Sequence, residues 1–303
     1  MKSPKISVVV PVYNQELYIE ETVESVLSQK EVDLELIVVN DGSTDRSGEI
    51  LKKFSSQIIL IEQANQGVAV SRNNGVKASG GELIAFLDGD DRYLPGHLTK
   101  ILKIAQSKPE AILFYGDAWV IDENGRPLWI QRSEAEPNLT KLLLKNFIIA
   151  SSVVMRRRLF DEGEWFEDFH PSEDWDLWLR AWGKGKFVHY PWIGVEYRKH
   201  QQSAIKLKLA LAEEMSKKVL ERAFEREKLL KPRIKNRAYA SLYYQSAVRF
   251  LSAQENKEAR KKIIFGLGYN WFMLRGWLGL GLSLLPKAIL NLLIQLRTKI
   301  KKL

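Results

Sequence analysis

Leu83-Ile84-Ala85-Phe86-Leu87-Asp88-Gly89-Asp90-Asp91 decides how this chain is read. Five apolar residues run without a break, and three carboxylates then fall within four positions. A short, continuous apolar run bounded by turn residues predicts a buried strand. Carboxylates just past the carboxyl end of such a strand lie where open α/β sheets bind ligands. Like charges this close are costly unless a cation or hydrogen-bond donors offset them. Hard oxygen donors at this spacing suit Mg²⁺ or Mn²⁺, ions that leave positions open for substrate phosphates. A solvated acidic turn is the alternative, and the rest of the chain decides between the two.

Working outward, Ile6 to Val10 is β-branched and predicts a first strand ended by Pro11. Gln15 to Gln29 has helical spacing, with Ile19, Val23, Val26 and Leu27 on one face. Leu34 to Val39 predicts a second strand, followed by Asn40-Asp41-Gly42-Ser43-Thr44-Asp45, a turn that also offers an N-cap for a helix reaching Phe54. Ile58 to Ile61 predicts a third strand and Gly67 to Ala78 a helix leading to the acidic strand. This rhythm argues for an α/β fold with a mostly parallel sheet. Beyond Asp91 the pattern changes. Pro95 to Gln106 and Ser172 to Gly183 read as helices. Ala111 to Val120 and Pro127 to Gln131 flank the hairpin signal Asp122-Glu123-Asn124-Gly125. Lys186 to Tyr190 and Ile193 to Tyr197 read as two short strands, and from Ile205 the pattern is helical.

The 303 residues are 45% apolar, enough for a sizeable core. Cysteine is absent, which excludes disulfides, thiolate metal sites and a cysteine nucleophile, and fits a reducing cytoplasm. The apolar run Ile6 to Val12 is too short for a signal peptide. The net charge of +9 divides unevenly. Residues 1–204 hold 24 Lys and Arg against 30 Asp and Glu; residues 205–303 hold 22 against 7. An acidic, metal-tolerant front half is joined to a basic tail.

Several segments carry chemistry. Pro11 stops strand pairing and Tyr13 offers a face for stacking a planar ring. Asp41 arrives at the same sheet edge, either to meet a base or ribose hydroxyl or to cap a turn or helix. Asn65-Gln66-Gly67 opens a helix whose start favours anions, with Arg72 in reach of a ligand there. In Ser172-Glu173-Asp174-Trp175-Asp176, Ser172 is a capping candidate and the acids suit the first turn, but the second one beside Trp175 and Trp178 also suits a general base. Asp176 is expected to pair with Arg180. In Tyr197-Arg198-Lys199-His200, Arg198 or Lys199 could neutralise phosphates, and His200 could ligate a metal or bond a phosphate.

Taken together, VVVPVYN, VVNDGSTD, NQGVAVSRNNG, FLDGDD, SEDWDLWLR and YRKHQQS, in this order from Ile6 to Ser203, resemble the family 2 glycosyltransferases of the GT-A fold. The resemblance implies a Rossmann-like sheet with helices on both faces, a nucleotide-sugar donor (usually a UDP-sugar), a divalent metal, and inversion at the anomeric carbon. It places Pro11, Tyr13 and Asp41 on the uracil and ribose side of the donor, with Asn65 and Arg72 near the base. Asp88 and Asp90 correspond to the D-x-D motif: Asp88 would face ribose or metal, and Asp90 would bind metal and diphosphate. Asp91 would support the donor side. Asp174 corresponds to the catalytic base, with Glu173 beside it. His200 and Ser203 correspond to a loop that closes over the diphosphate, and His200 is a further candidate metal ligand.

The expected organisation is a catalytic domain over residues 1–204, with a nucleotide-binding half (1–110) and an acceptor half (111–204), followed by a basic helical region over 205–303. In that region Trp271, Trp277 and flanking cations suit a helix lying in a membrane interface, Arg275 argues against a spanning one, and a helical bundle packed on the catalytic core with a solvated basic end is the alternative. The expected location is the cytoplasm, peripheral at the inner face of the plasma membrane. The expected acceptor is a saccharide or a lipid-linked one, as in cell-surface polysaccharide or glycolipid synthesis. Nucleic acid is not an expected partner, because no recognised module interleaves aromatics with the basic residues. The rival reading is a scaffold that keeps the fold and binds a nucleotide sugar or a membrane without turnover.

Overall fold

The computed structural model describes residues 6–200 and 209–284. Expectations for Ser203 and for the residues beyond Leu284 lie outside the described residues. The chain forms two compact units: residues 1–137 with 147–200, and residues 138–146 with 201–303.

In the first unit, one sheet carries the site. Its strands are β1 (Ile6–Val12), β2 (Leu34–Asp41), β3 (Ile59–Gln63), β4 (Leu83–Phe86), β5 (Arg92–Tyr93), β6 (Ala111–Ile121), β7 (Pro127–Gln131), β8 (Val154–Arg156) and β9 (Lys186–Arg198). They lie in the order β3-β2-β1-β4-β8-β6-β9-β5, with β7 added to β6. The strand–helix rhythm of the first hundred residues produces the parallel half, β3-β2-β1-β4. Beyond it the sheet is mixed rather than mostly parallel. Short β8 enters between β4 and β6 antiparallel to both, β5 pairs antiparallel with β9, and the predicted hairpin joins β6 to β7. Only β6 and β9 run parallel there. Hairpin-length connections permit antiparallel neighbours, whereas parallel ones need long crossovers. The two strands expected over 186–197 are one. Gly116 pairs with Tyr190 and Ala118 with Val195, so the segment Pro191 to Gly194 bulges out of the ladder. Proline, lacking an N–H, fits where the ladder is interrupted.

The helices of this unit are α1 (Ile19–Leu27), α2 (Ser47–Lys52), α3 (Val68–Ala78), α4 (His97–Ser107), α6 (Arg158–Asp161) and α7 (Glu173–Ala181), with α5 (Leu139–Leu144) in the second unit. Alternation along β1 sends Val8 and Val10 into the core shared with Val23 of α1 and Ile101 of α4, while Val9 faces α3. Helices therefore cover both faces. Gly75 sets how closely α3 approaches: a Cβ there would lie 2.3 Å from Val9 Cγ1 and 3.4 Å from Val39 Cγ2. Gly75→Ala should force α3 off the sheet at a cost of about 1–3 kcal/mol, read as a lower unfolding midpoint. An unchanged midpoint would show that α3 slides freely.

The second unit is helical: α5, α8 (Leu209–Arg226), α9 (Pro232–Ser252), α10 (Asn256–Tyr269) and α11 (Leu274–Leu284). Pro232 opens α9, where a missing N–H costs nothing. Ala247, Ile263 and Leu267 form a core with Met273 and Leu280 packed against it. Gln245 Nε2 donates to the Leu144 carbonyl at 3.0 Å, fastening α5 to α9. Among the described residues no helix is long and apolar enough to cross a membrane.

Candidate active site

The carboxyl ends of β1 and β2 are stitched together. Asn14, at φ +54°, donates its N–H to Ser43 Oγ and accepts the Thr44 N–H at 2.8 Å. Pro11 is buried in β1 opposite Val39, and Tyr13 emerges beyond the strand 47% exposed. Asp41 ends β2 and is buried. Its Oδ1 accepts from Gln63 Nε2 at 2.8 Å and the Gln66 N–H at 2.9 Å, and its Oδ2 accepts from the Gly67 N–H at 2.8 Å. Of the two roles open to Asp41, capping is visible, applied to the start of α3 rather than to its own turn. Asn65, in that same loop, is exposed.

The loop and helix so fixed carry Arg72 inward. Its guanidinium is buried over the Phe166 ring at 5.2 Å. Nη2 donates to Asp88 Oδ1 at 2.7 Å, and Nη1 donates to Glu173 Oε1 at 2.8 Å. One planar fork thus joins the acidic end of β4 to the first turn of α7, with Arg72 itself 101 residues before Glu173 in the chain. Burial acts to raise the Glu173 pKa, but His170 and Arg72 prevail and hold it at about 2. The His170 ring lies beside it, its Nδ1 3.4 Å from Glu173 Oε2. Neither Arg72 Nε nor Glu173 Oε2, both buried, has a hydrogen-bond partner among the described residues.

Asp88, Asp90 and Asp91 take three environments. Asp88 keeps 30% of its side chain exposed, and its N–H donates to Ser151 Oγ at 3.1 Å. Burial and the Asp90 charge raise its pKa against the pull of Arg72. Asp91 is fully buried, accepting from Ser151 Oγ and from the Arg198 N–H. Burial, then Asp90 and Asp88, push its pKa well up. Asp90 Oδ2 lies 2.7 Å from His200 Nε2, and the His200 ring packs 5.0 Å from that of Tyr18.

Arg198 does not aim at a ligand. Its guanidinium sits 4.7 Å over the Tyr18 ring and donates to the Asp90 carbonyl at 2.9 Å, to Glu21 at 2.7 Å and to the Glu123 carbonyl at 3.1 Å. It clamps the backbone that carries Asp90.

In α7, Ser172 occupies the N-cap position, but its side chain makes no capping bond. The acids behind it take over the first turn, and Asp174 Oδ1 accepts the Trp175 N–H at 2.6 Å. Asp176 pairs with Arg180 at 2.7 Å, as i,i+4 spacing predicts. The half-buried Tyr197 phenol feels both acidic turns. Burial, then the charges of Asp91, Asp90, Asp88 and Asp174, raise its pKa. Asp90 and Asp174 therefore act on one half-buried group within one unit. Reading the sequence missed Tyr197, Ser151 and His170. Only their folded positions mark them, since a lone serine or tyrosine carries no local signal.

The donor chemistry fits a divalent cation at one point. Asp90 and His200 put a hard oxygen beside a borderline nitrogen, a pairing that suits Mn²⁺ better than the oxygen-seeking Mg²⁺. The repulsion that raises Asp88 is of the kind a cation relieves. Asp88 itself, the other candidate ligand on this turn, is engaged by Arg72. Among the described residues no three His, Asp or Glu side chains converge as a closed ion cage. An ion here would take its remaining ligands from a bound diphosphate and water.

Known proteins resemble the chain along this same stretch. A Rickettsia bellii protein described as an uncharacterized glycosyltransferase is 30% identical over 269 residues, 84% of this chain and 38% of the relative. Glycosyltransferase GlyA of Streptococcus pneumoniae is 47% identical over 90 residues, 29% of this chain and 13% of GlyA. The chain thus spans well under half the length of these relatives. The crystal structure of S. aureus TarS 1–349 in complex with UDP-GlcNAc aligns with a TM-score of 0.56 at 19% identity, covering 86% of this chain and 89% of that one. That likeness concerns the fold, and it is the expected GT-A fold with a helical C-terminal region. The family model described as Glycosyl transferase family 2 matches residues 7–163, which span β1 through β8, so the chain belongs to glycosyl transferase family 2.

Proposed function

We propose that this chain transfers a sugar from a nucleotide-sugar, a UDP-sugar in the first instance, to an acceptor hydroxyl with inversion. The observation that supports this most is the Arg72 bridge from Asp88 to Glu173. It links the acidic turn that would bind the donor to the helix turn that carries the candidate base, Asp174. Family membership and the UDP-GlcNAc bound to TarS, a protein of like fold, support the donor class.

In this reading Pro11, Tyr13 and Asn65 wall the base and ribose end. Asp41 fastens that wall and retains lone pairs for the base, since an ionised carboxylate has about four acceptor sites. A metal ion would be held by Asp90 and His200, with Asp88 on the same turn, and would stabilise charge on the departing diphosphate. Asp174 takes the proton of the acceptor hydroxyl as that oxygen attacks the anomeric carbon from the face opposite the diphosphate. One displacement suffices, and no covalent enzyme intermediate forms. Glu173, its pKa held low by His170 and Arg72, instead orients Arg72. Residues 1–204 would form the catalytic domain and 205–303 an appended region. The acceptor class is a saccharide or lipid-linked carrier of cell-surface polysaccharide or glycolipid, met at the cytoplasmic face of the membrane. The basic charge of the second unit supports that placement.

UDP release from a panel of UDP-sugars, with Mn²⁺ or Mg²⁺ and with EDTA, tests the reading. Release from one donor that EDTA abolishes is expected. A chain that neither binds nor turns over any UDP-sugar would favour the scaffold, and EDTA-resistant release would remove the metal.

A further inference from the structure

Helix α11 is built inside out. Its small residues Gly276, Gly279 and Ser283 are buried, while Leu274, Trp277, Leu278, Leu282 and Leu284 are exposed. The glycines let α11 settle against α10: a Cβ at Gly276 would lie 2.8 Å from Leu267 Cδ2, and one at Gly279 3.4 Å from Ile263 Cδ1. A water-facing helix normally buries its leucines and exposes polar residues. Here the outward face carries Leu278 at 69% exposure and one charge, Arg275.

The turn leading into α11 continues the pattern. Phe272 is 88% exposed, and Trp271 is exposed with its ring against Trp277 at 4.5 Å. Phe272 and Tyr269 also line a cleft with Arg233 and Arg237 from the first turns of α9. Leu229, just before α9, is fully solvent-facing as well. Apolar anchors, indole rings and guanidinium groups thus meet at one end of the helical unit. From Ala259 to the end, the sequence holds nine Lys and Arg and no Asp or Glu.

We propose that the outward face of α11, with the Trp271-Phe272 turn and the Arg233/Arg237 cleft beside it, docks on an anionic lipid bilayer. Leucine and phenylalanine enter the boundary of the acyl chains, the indoles lie at headgroup level, and the arginines meet lipid phosphates. Charge selects this occupant. A second copy docked through this same face, or the chain's own residues 285–303, would bring Lys and Arg without acids against a surface that is already basic. The proposal deepens the membrane placement given above and says where contact is made.

The test uses the full chain with phosphatidylcholine vesicles, alone or containing phosphatidylglycerol. Flotation on the anionic vesicles is expected, with tryptophan quenching by brominated acyl chains that Trp271→Phe with Trp277→Phe diminishes. Phe272→Asp with Leu278→Asp should weaken flotation about tenfold or more. Arg233→Glu with Arg237→Glu should remove the preference for anionic lipid, and added salt should mimic it. UDP release in free solution is read on every variant, so loss of docking and loss of transfer are scored separately. Failure of the parent chain to float overturns the proposal, as does flotation untouched by the aspartate pair. A dimer in solution that Leu278→Asp dissociates would assign the face to a second copy. Stronger flotation after removal of residues 285–303 would assign it to the chain's own tail. Either result overturns the lipid assignment.

Discussion

Asp174→Asn is expected to lower the rate of sugar transfer about 10²–10⁴-fold at saturating donor, while UDP affinity stays within about twofold. Asparagine is nearly isosteric and its Oδ1 can still accept the Trp175 N–H, so the first turn of α7 is preserved. What disappears is the ability to take a proton from the acceptor hydroxyl. The rate of the parent should fall as acid protonates the base, and the variant should show no such fall. Glu173→Gln supplies the contrast. It leaves Asp174 intact but removes one of the two charges that hold Arg72, so its effect should reach donor affinity and stability as well as rate. If the Asn variant transfers at the parent rate while the Gln variant is inert, the proton acceptor is Glu173, and its low pKa has been overcome by substrate.

The two acidic clusters were legible in sequence because each is local: a strand running into Asp88-Gly89-Asp90-Asp91, and acids opening a helix at Glu173-Asp174. The first four strands were legible for the same reason, each an apolar run closed by turn residues. Their partners were not. Nothing adjacent to Arg72 announces that its fork reaches Asp88 and Glu173 rather than a ligand, since both bonds depend on how α3 and α7 pack on the sheet. Nor does Asp41 announce that it fastens the start of α3, a contact made 25 and 26 residues downstream. The mixed half of the sheet was hidden similarly. At three residues, β8 is too short to show a period, and its place between β4 and β6 comes only from pairing. The bulge in β9 made one strand read as two.

Arg72→Met should destabilise the protein by about 3–5 kcal/mol at neutral pH, because it strands two carboxylates around a buried position. The thioether fills much of the space but cannot donate, so Glu173, 8% exposed, keeps a charge with only His170 near it. The loss should depend on pH with a definite sign. In the parent, Glu173 is held at about 2 against its ordinary 4.5, so the stability it contributes is complete above the ordinary value and is lost as pH falls toward 2. Without Arg72 that depression shrinks to the part that His170 supplies. The gap between parent and variant in urea midpoint should therefore be widest at neutral pH and narrow through the acid range. Asp88 works in the same direction. Its pKa is already raised by burial and Asp90, and without the guanidinium it takes up a proton more readily still. Arg72→Lys should fall between the two, since a single ammonium satisfies one carboxylate well but not two across a fork. A gap that stayed constant with pH would mean that Arg72 stabilises by packing on Phe166 rather than by charge. The joining of the two acidic turns, on which the catalytic reading rests, would then need another cause.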